Sequence, residues 1–204
     1  MARVKCPTKC WFWPHFRANT SGCFRTFAAA RFSSAHQLRA SNCRTFSSTA
    51  LWTPQDSIAT VHRHVVPSLF CVPSVGAPLL DLPQDHSNAL RGWLGFYRRH
   101  QAIFNRGEFR AHWAAGDFQS FDSTLGDQRI IASFSRYPVV LNGGGETWVI
   151  NATDGAGLLL HLDKSAQISL EDAEGRPYST AARVPAGLQE IDCSVGAIAR
   201  FTFD

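Results

Sequence analysis

The chain has 204 residues, 45% of them hydrophobic and 18% charged, a globular composition with enough apolar material for a sizeable core. No run of 18 apolar residues is present, so no transmembrane helix and no membrane association are expected. The net charge of +4 hides a split: residues 1–55 carry eight Lys or Arg and no acid, whereas residues 56–204 carry twelve basic against sixteen acidic residues. The positive charge belongs to the leading segment, which argues against a nucleic-acid partner, since that needs a basic patch on a folded face.

Residues 1–50 read as a basic, acid-free and disordered leader, with at most a short helix around 24–39. Its Arg, Ser, Phe and Ala content fits a mitochondrial transit peptide. Arg25, Arg31 and Arg39 do not separate cleanly from Phe24, Phe27 and Phe32 on a helical wheel, however. The alternative is a leader without a targeting role, in a protein that is otherwise cytoplasmic. Cys6 and Cys10 have no second ligand pair at zinc-finger spacing, so the leader cysteines are read as unpaired and no metal is assigned to them.

From Ser57, a plausible N-cap, Ile58, Val61, Val65 and Val66 follow helical spacing and predict a helix over 57–66, stopped by Pro67. His62 and His64 fall on opposite sides of such a helix and cannot share one metal ion. Leu69–Leu82, with prolines at 73 and 78 and Pro83 just beyond, reads as short extended pieces.

The strongest periodic signal lies at 86–106, where Leu90, Trp93, Leu94, Tyr97 and Phe104 form an apolar stripe. Asp85 or Ser87 caps its start, and Gly107 stands at the expected C-terminal position. Gly92 and Gly95 each cost about 1 kcal/mol relative to Ala, so packing must hold this helix.

After Gly107 the period becomes 2. Strands are predicted at Glu108–His112, Arg129–Ser135, Glu146–Asn151, Gly157–Leu162, Ala166–Glu171 and Ala197–Phe203. Turns are predicted at Asn142–Gly145, Asp154–Gly155, Glu174–Pro177 and Pro185–Gly187. The fold class is therefore α+β, mainly β: a leader (1–50), a helical region (51–107) and an antiparallel β-sandwich (108–204). The Gly run lacks the following helix of a phosphate-binding loop, and no cofactor is implied.

Trp52-Thr53-x-x-Asp56, Trp93-Leu94-x-Phe96-Tyr97-Arg98-Arg99-His100 and Phe104-x-x-Gly107-x-Phe109 resemble the C-terminal part of melibiase-type α-galactosidases, family 36 of the glycoside hydrolases. The resemblance covers residues 50–204. It implies the end of a (β/α)₈ barrel followed by a β-sandwich, a retaining mechanism with two carboxylates, and carbohydrate as substrate. Asp56 stands at the acid/base position, with Pro54 and Gln55 departing from the family pattern, and Trp52 and Trp148 are the candidate sugar contacts. The nucleophile's Lys-x-Asp-like motif has no counterpart in residues 1–50, which contain no Asp. The resemblance thus implies a truncated hydrolase, inactive alone. Its helix stripe would have lost its barrel strands, leaving it partly exposed or covered only by residues 57–82 and inviting self-association.

Two other readings stand beside this one. The sandwich is a carbohydrate-binding or interaction module with Trp113 and Trp148 as stacking residues, against the plainer reading of both as core aromatics. Alternatively, the chain is a mitochondrial protein of unrelated function. A serine-hydrolase reading fails for want of a Gly-x-Ser-x-Gly elbow. Cys193 is expected to be buried and inert, and His100 and His161 structural.

Overall fold

A computed structural model of the chain describes residues 47–114, 117–179 and 181–203. The leader's cysteines, its transit-like stretch and the helix expected at 24–39 lie outside the described residues.

The described part begins with a β-α-β unit. Strand β1 (Ser47–Ala50) starts inside the stretch read as leader, helix α1 (Ile58–Ser68) follows, and β2 (Val72–Val75) returns parallel to β1, pairing Ser47 with Val72 and Ala50 with Val75. Ser57 caps α1 as expected, accepting from the Thr60 N–H at 3.3 Å. Pro67 does not stop the helix at Val66. It is accommodated in the last turn, where Leu69 N donates to Val66 O and Phe70 N to Pro67 O, closing the end with tighter bonds.

The helix expected over 86–106 is two helices, α2 (Gln84–Arg99) and α3 (Gln101–Arg106). His100, at φ −111° and ψ 20°, breaks the run. Its ring lies between Phe96 (4.5 Å) and Trp148 of the sheet (4.4 Å). The N-cap of α2 is Pro83, not Asp85 or Ser87; Asp85 lies in the first turn, where its charge complements the helix dipole. Gly107 ends α3 in extended conformation (φ −63°, ψ 154°), not in the left-handed form of a glycine cap. The residue is needed for space, since a Cβ there would lie 2.4 Å from Ile103 O and 2.6 Å from the Ser123 hydroxyl.

The β part consists of β3 (Glu108–Ala114), β4 (Asp117–Leu125), β5 (Gln128–Ser133), β6 (Val139–Leu141), β7 (Glu146–Asn151), β8 (Leu158–Leu162), β9 (Ala166–Glu171), β10 (Ala182–Val184), β11 (Gly187–Ile191) and β12 (Ile198–Phe203). Seven strands form one sheet in the order β10-β9-β12-β7-β5-β4-β3, and three form a second, β11-β8-β6. Most pairings are antiparallel, as expected, but β5–β7 and β6–β8 are parallel. Loops carry the predicted turns. The fold is mainly β, a sandwich rich in antiparallel pairs with three helices to one side.

The centre of the large sheet, β5 and β7 with the start of β12, is buried on both faces, so these strands alternate between two apolar cores rather than between core and water, while the edge strands β3 and β10 are largely exposed. Trp148, Ile150 and Ile198 face the helices, joining Trp93, Phe96 and Phe104. Val149, Ala199 and Phe201 face the small sheet, joining Leu141, Leu158 and Leu160. The expected exposure of the helix stripe is met only in part. Leu90 and Trp93 are buried against α1 and the sheet, together with Phe96, while Leu94 keeps 37% exposure and Tyr97 is half-buried. Two apolar patches thus account for α2, one internal and one a lone exposed leucine. No described helix is long and apolar enough to cross a membrane.

Candidate functional site

Asp56 lies in the loop that leaves the C-terminal end of β1 and leads into α1. Thr53, Pro54, Gln55 and Asp56 close a turn in which the Asp56 N–H donates to Thr53 O at 3.1 Å. Both hydrogen bonds to the carboxylate reach one oxygen: the Thr53 N–H donates to Oδ2 at 2.7 Å and the Thr53 hydroxyl at 3.0 Å. Oδ1 has no partner among the described residues. The nearby His64 feels the Asp56 charge, but burial dominates and pulls the imidazole below its ordinary value.

Two buried polar atoms have no hydrogen-bond partner among the described residues: Nε1 of Trp52, in the loop after β1, and Nδ1 of His86, in the first turn of α2. An unmade bond of this kind costs about 1–3 kcal/mol. The segments flanking the β1–β2 pair also carry exposed leucines, Leu79 at 59% and Leu80 at 100%.

The aromatic candidates separate by burial. Trp52 and Trp148 are each 5% exposed, and neither offers an open face to a sugar. Trp113, at 48% exposure, packs edge-on against Phe118 with 4.7 Å between centroids. Cys193 is buried, its thiol pushed up to about 11 by that burial, in keeping with an inert thiol.

A second site, which no single stretch of sequence announces, lies at the seam between helices and sandwich. Residues of α1, α2, the β9–β10 loop and the β11–β12 loop line an open cleft of about 220 Å³. On the helical side His62 is fixed by Trp93, whose indole Nε1–H donates to His62 Nδ1 at 2.8 Å. An indole nitrogen only donates, so Nδ1 is the acceptor and the neutral ring carries its proton on Nε2. Burial holds His62 at about 4, so the ring stays neutral at ordinary pH. Gly196 makes this packing possible: it has φ +86°, and a Cβ there would lie 2.4 Å from the His62 ring.

The sandwich wall carries a solvent-exposed ion cluster. Asp172 accepts from the backbone N–H groups of Glu174 (2.9 Å) and Arg176 (3.0 Å) and from Arg176 Nε (2.9 Å). Burial raises the Asp172 carboxyl, but these donors together hold it below its ordinary value. Arg176 also pairs with Glu174 at 2.9 Å. Behind the loop, Arg99 of α2 donates to Ala173 O at 2.9 Å, tying helix to sandwich.

A third polar group spans three strands on the large sheet. Asp122 of β4, almost wholly buried, accepts from Arg129 of β5 and from the Thr124 hydroxyl, with His112 of β3 3.7 Å away. Burial raises this carboxyl, and the nearby His112 with the Arg129 and Thr124 bonds outweighs it and holds the group below its ordinary value.

Among the described residues no group of three or more His, Cys, Asp or Glu could hold a metal ion. Comparison with protein-family models and with curated proteins finds no match to this chain.

Proposed function

We propose that residues 47–203 derive from the closing unit of a (β/α)₈ barrel and its trailing sandwich, of the melibiase α-galactosidase type, and that they carry no hydrolytic activity alone. The observation that supports this most is the parallel β1-α1-β2 unit with α2 after it, which places Asp56 just beyond the C-terminal end of a parallel strand. Barrel enzymes carry their chemistry at that end. The exposed Leu79 and Leu80 fit a surface made to meet further barrel strands.

On this reading Asp56 is the acid/base. Its Oδ2 is held by Thr53, and Oδ1 is free to face a glycosidic oxygen. One carboxylic acid can give a proton to a leaving group, but it cannot also form and release a glycosyl-enzyme intermediate. A barrel further needs eight strands to close, and the described residues supply two parallel ones.

The test is twofold. The chain is assayed with an aryl α-galactoside, and no turnover is expected; turnover that disappears in Asp56→Asn overturns the inactivity. The coding sequence upstream is read in all three frames for a Lys-x-Asp-like barrel strand, and its absence overturns the derivation.

A further inference from the structure

Asn142-Gly143 is the one Asn-Gly pair in the chain, and it opens the loop from β6 to β7. A side chain on the residue after an asparagine shields that residue's backbone nitrogen. Glycine leaves the nitrogen open to the asparagine's own side-chain amide. The packing requires glycine here: a Cβ at Gly143 would lie 3.0 Å from Lys164 Cδ, 3.2 Å from Asp163 Oδ1 and 3.4 Å from the Phe203 ring. The fold itself therefore builds in a pair that can react with itself. Gly144 and Gly145 continue the run at positive φ, so no Cβ crowds the loop beyond it.

The other asparagines among the described residues are held. Asn88 and Asn105 lie in α2 and α3 and accept from Gln84 and Tyr97. Asn151 is fully buried, and its side-chain amide donates to Gly155 O and Cys193 O. Each of the three is followed by Ala or Arg. Asn142 is exposed and has no such tether among the described residues.

Asp163, in the turn after β8, clips onto this loop. Its N–H donates to Leu141 O at 3.1 Å, and its Oδ1 accepts from the Gly143 N–H at 2.6 Å. Cyclisation needs that same nitrogen. Gly143 N gives its proton to hydroxide and attacks Asn142 Cγ. The Cγ–Nδ2 bond breaks, and ammonia leaves with a proton taken from water. Water then opens the cyclic imide: cleavage at Cγ gives aspartate, and cleavage at the main-chain carbonyl carbon gives isoaspartate. One water enters and one ammonia leaves, with no redox partner. Asp163 opposes the first step in two ways. Its hydrogen bond exists only while the N–H is intact, and its charge disfavours an anionic nitrogen beside it.

We propose that Asn142 is a site of spontaneous deamidation through a cyclic imide, restrained by the Asp163 carboxylate that holds the Gly143 N–H. The product alters this corner of the sandwich. A negative charge appears on the residue next to the nitrogen that Asp163 holds, and isoaspartate adds a methylene to the main chain ahead of β7. The clip between the β6–β7 loop and the β8–β9 turn no longer fits. The site is independent of the barrel reading, because all of its residues lie in the sandwich.

The experiment incubates the full chain at neutral pH and physiological temperature for several weeks and maps the tryptic peptide from Tyr137 to Lys164 by mass spectrometry. Isoaspartate in place of Asn142 is the expected product. It is the signature of the imide, because direct hydrolysis of the side-chain amide yields aspartate alone. Asp163→Ala is expected to speed its formation about tenfold, the worth of one hydrogen bond to a charged group. Asp163→Asn, which keeps an acceptor without the charge, is expected to fall between the two. In concentrated urea the turn no longer places Asp163, and all three chains are expected to react at one rate. Thermal melts establish which variants are folded, and Asp163→Asn carries the comparison where Asp163→Ala is not. The proposal is overturned if Asn142 stays intact in the folded, unaltered chain, if aspartate forms without isoaspartate, if the folded variant reacts no faster than the unaltered chain, or if its advantage persists in urea.

Discussion

Trp93 donates its indole N–H to His62 across 2.8 Å, and the backbone of Gly196 lies directly against the same imidazole. One hydrogen bond thus fixes α1 to α2, and one ring face fixes both to the sandwich. Burial holds His62 at about 4, and burial with the Arg99 charge does the same to His100 between Phe96 and Trp148.

A pH dependence follows from these two histidines. Above their ordinary value of 6.5 they are neutral whether the chain is folded or unfolded, and the fold has its full stability. Between 6.5 and about 4 the unfolded chain binds protons that the folded one refuses, so stability falls as pH falls. Thermal melts from pH 7.5 down to 4 are expected to show a steady drop in Tm below 6.5. His62→Leu is expected to lessen that drop, with His100 still contributing its share. At pH 7 it is expected to cost about 1–3 kcal/mol, because the Trp93 N–H is left buried without an acceptor.

Gly196→Ala combines a left-handed backbone with a Cβ driven 2.4 Å from the His62 ring. The backbone strain alone is worth about 1–3 kcal/mol. Gly126→Ala is the control: its φ is +63° with nothing within 4 Å of the added methyl. Urea denaturation is expected to show the larger loss at Gly196, with the difference reporting the clash.

Asp122→Asn removes the charge that Arg129 faces from the next strand. A buried pair broken on one side costs about 3–5 kcal/mol, and the partial exposure of Arg129 places this one at the lower end. The expected loss is measured by chemical denaturation, and a loss below that of an ordinary surface variant counts against the burial of the pair.

Trp148→Ala and Trp113→Ala separate a core ring from a surface ring. Trp148 packs on His100 inside the helix-facing core, and its truncation is expected to cost about 3–5 kcal/mol. Trp113→Ala is expected to cost about 1 kcal/mol, since half of its surface already faces water. The two melting temperatures decide between the assignments.

Much of the architecture is legible in the sequence where one periodicity rules. Glu146–Asn151 and Ala166–Glu171 have the boundaries that their alternation and flanking turns predict. Asp117–Leu125 is not legible, because its buried Phe118 and Phe121 are three apart, a helical spacing, and its other face carries the buried polar pair around Asp122. The strands Val139–Leu141 and Ala182–Val184 are too short to carry a period, and Gly187–Ile191 turns Gly187 and Gln189 to its half-buried face and Leu188 to water, so its alternation is not apolar inward. The break at His100 has no Pro or Gly to mark it; its cause is the docking of that ring on Trp148, a contact 48 residues away in the chain. Asp56 can be singled out by its motif, but its tether to Thr53 cannot. The seam cleft is invisible for a simpler reason: its members come from four separate segments that only the finished fold brings together.

The position of β12 has a consequence for how the chain comes off the ribosome. This last described strand lies between β7 and β9, near the middle of the large sheet. Until it is made, the sheet is two unconnected pieces, each with a bare edge facing the gap. The helices and the β3–β4–β5 ribbons can form locally as they emerge, but neither apolar core can seal. Closure is therefore a single late event that waits for Ile198–Phe203, and the nascent chain passes through an interval in which its strand edges are open to other chains.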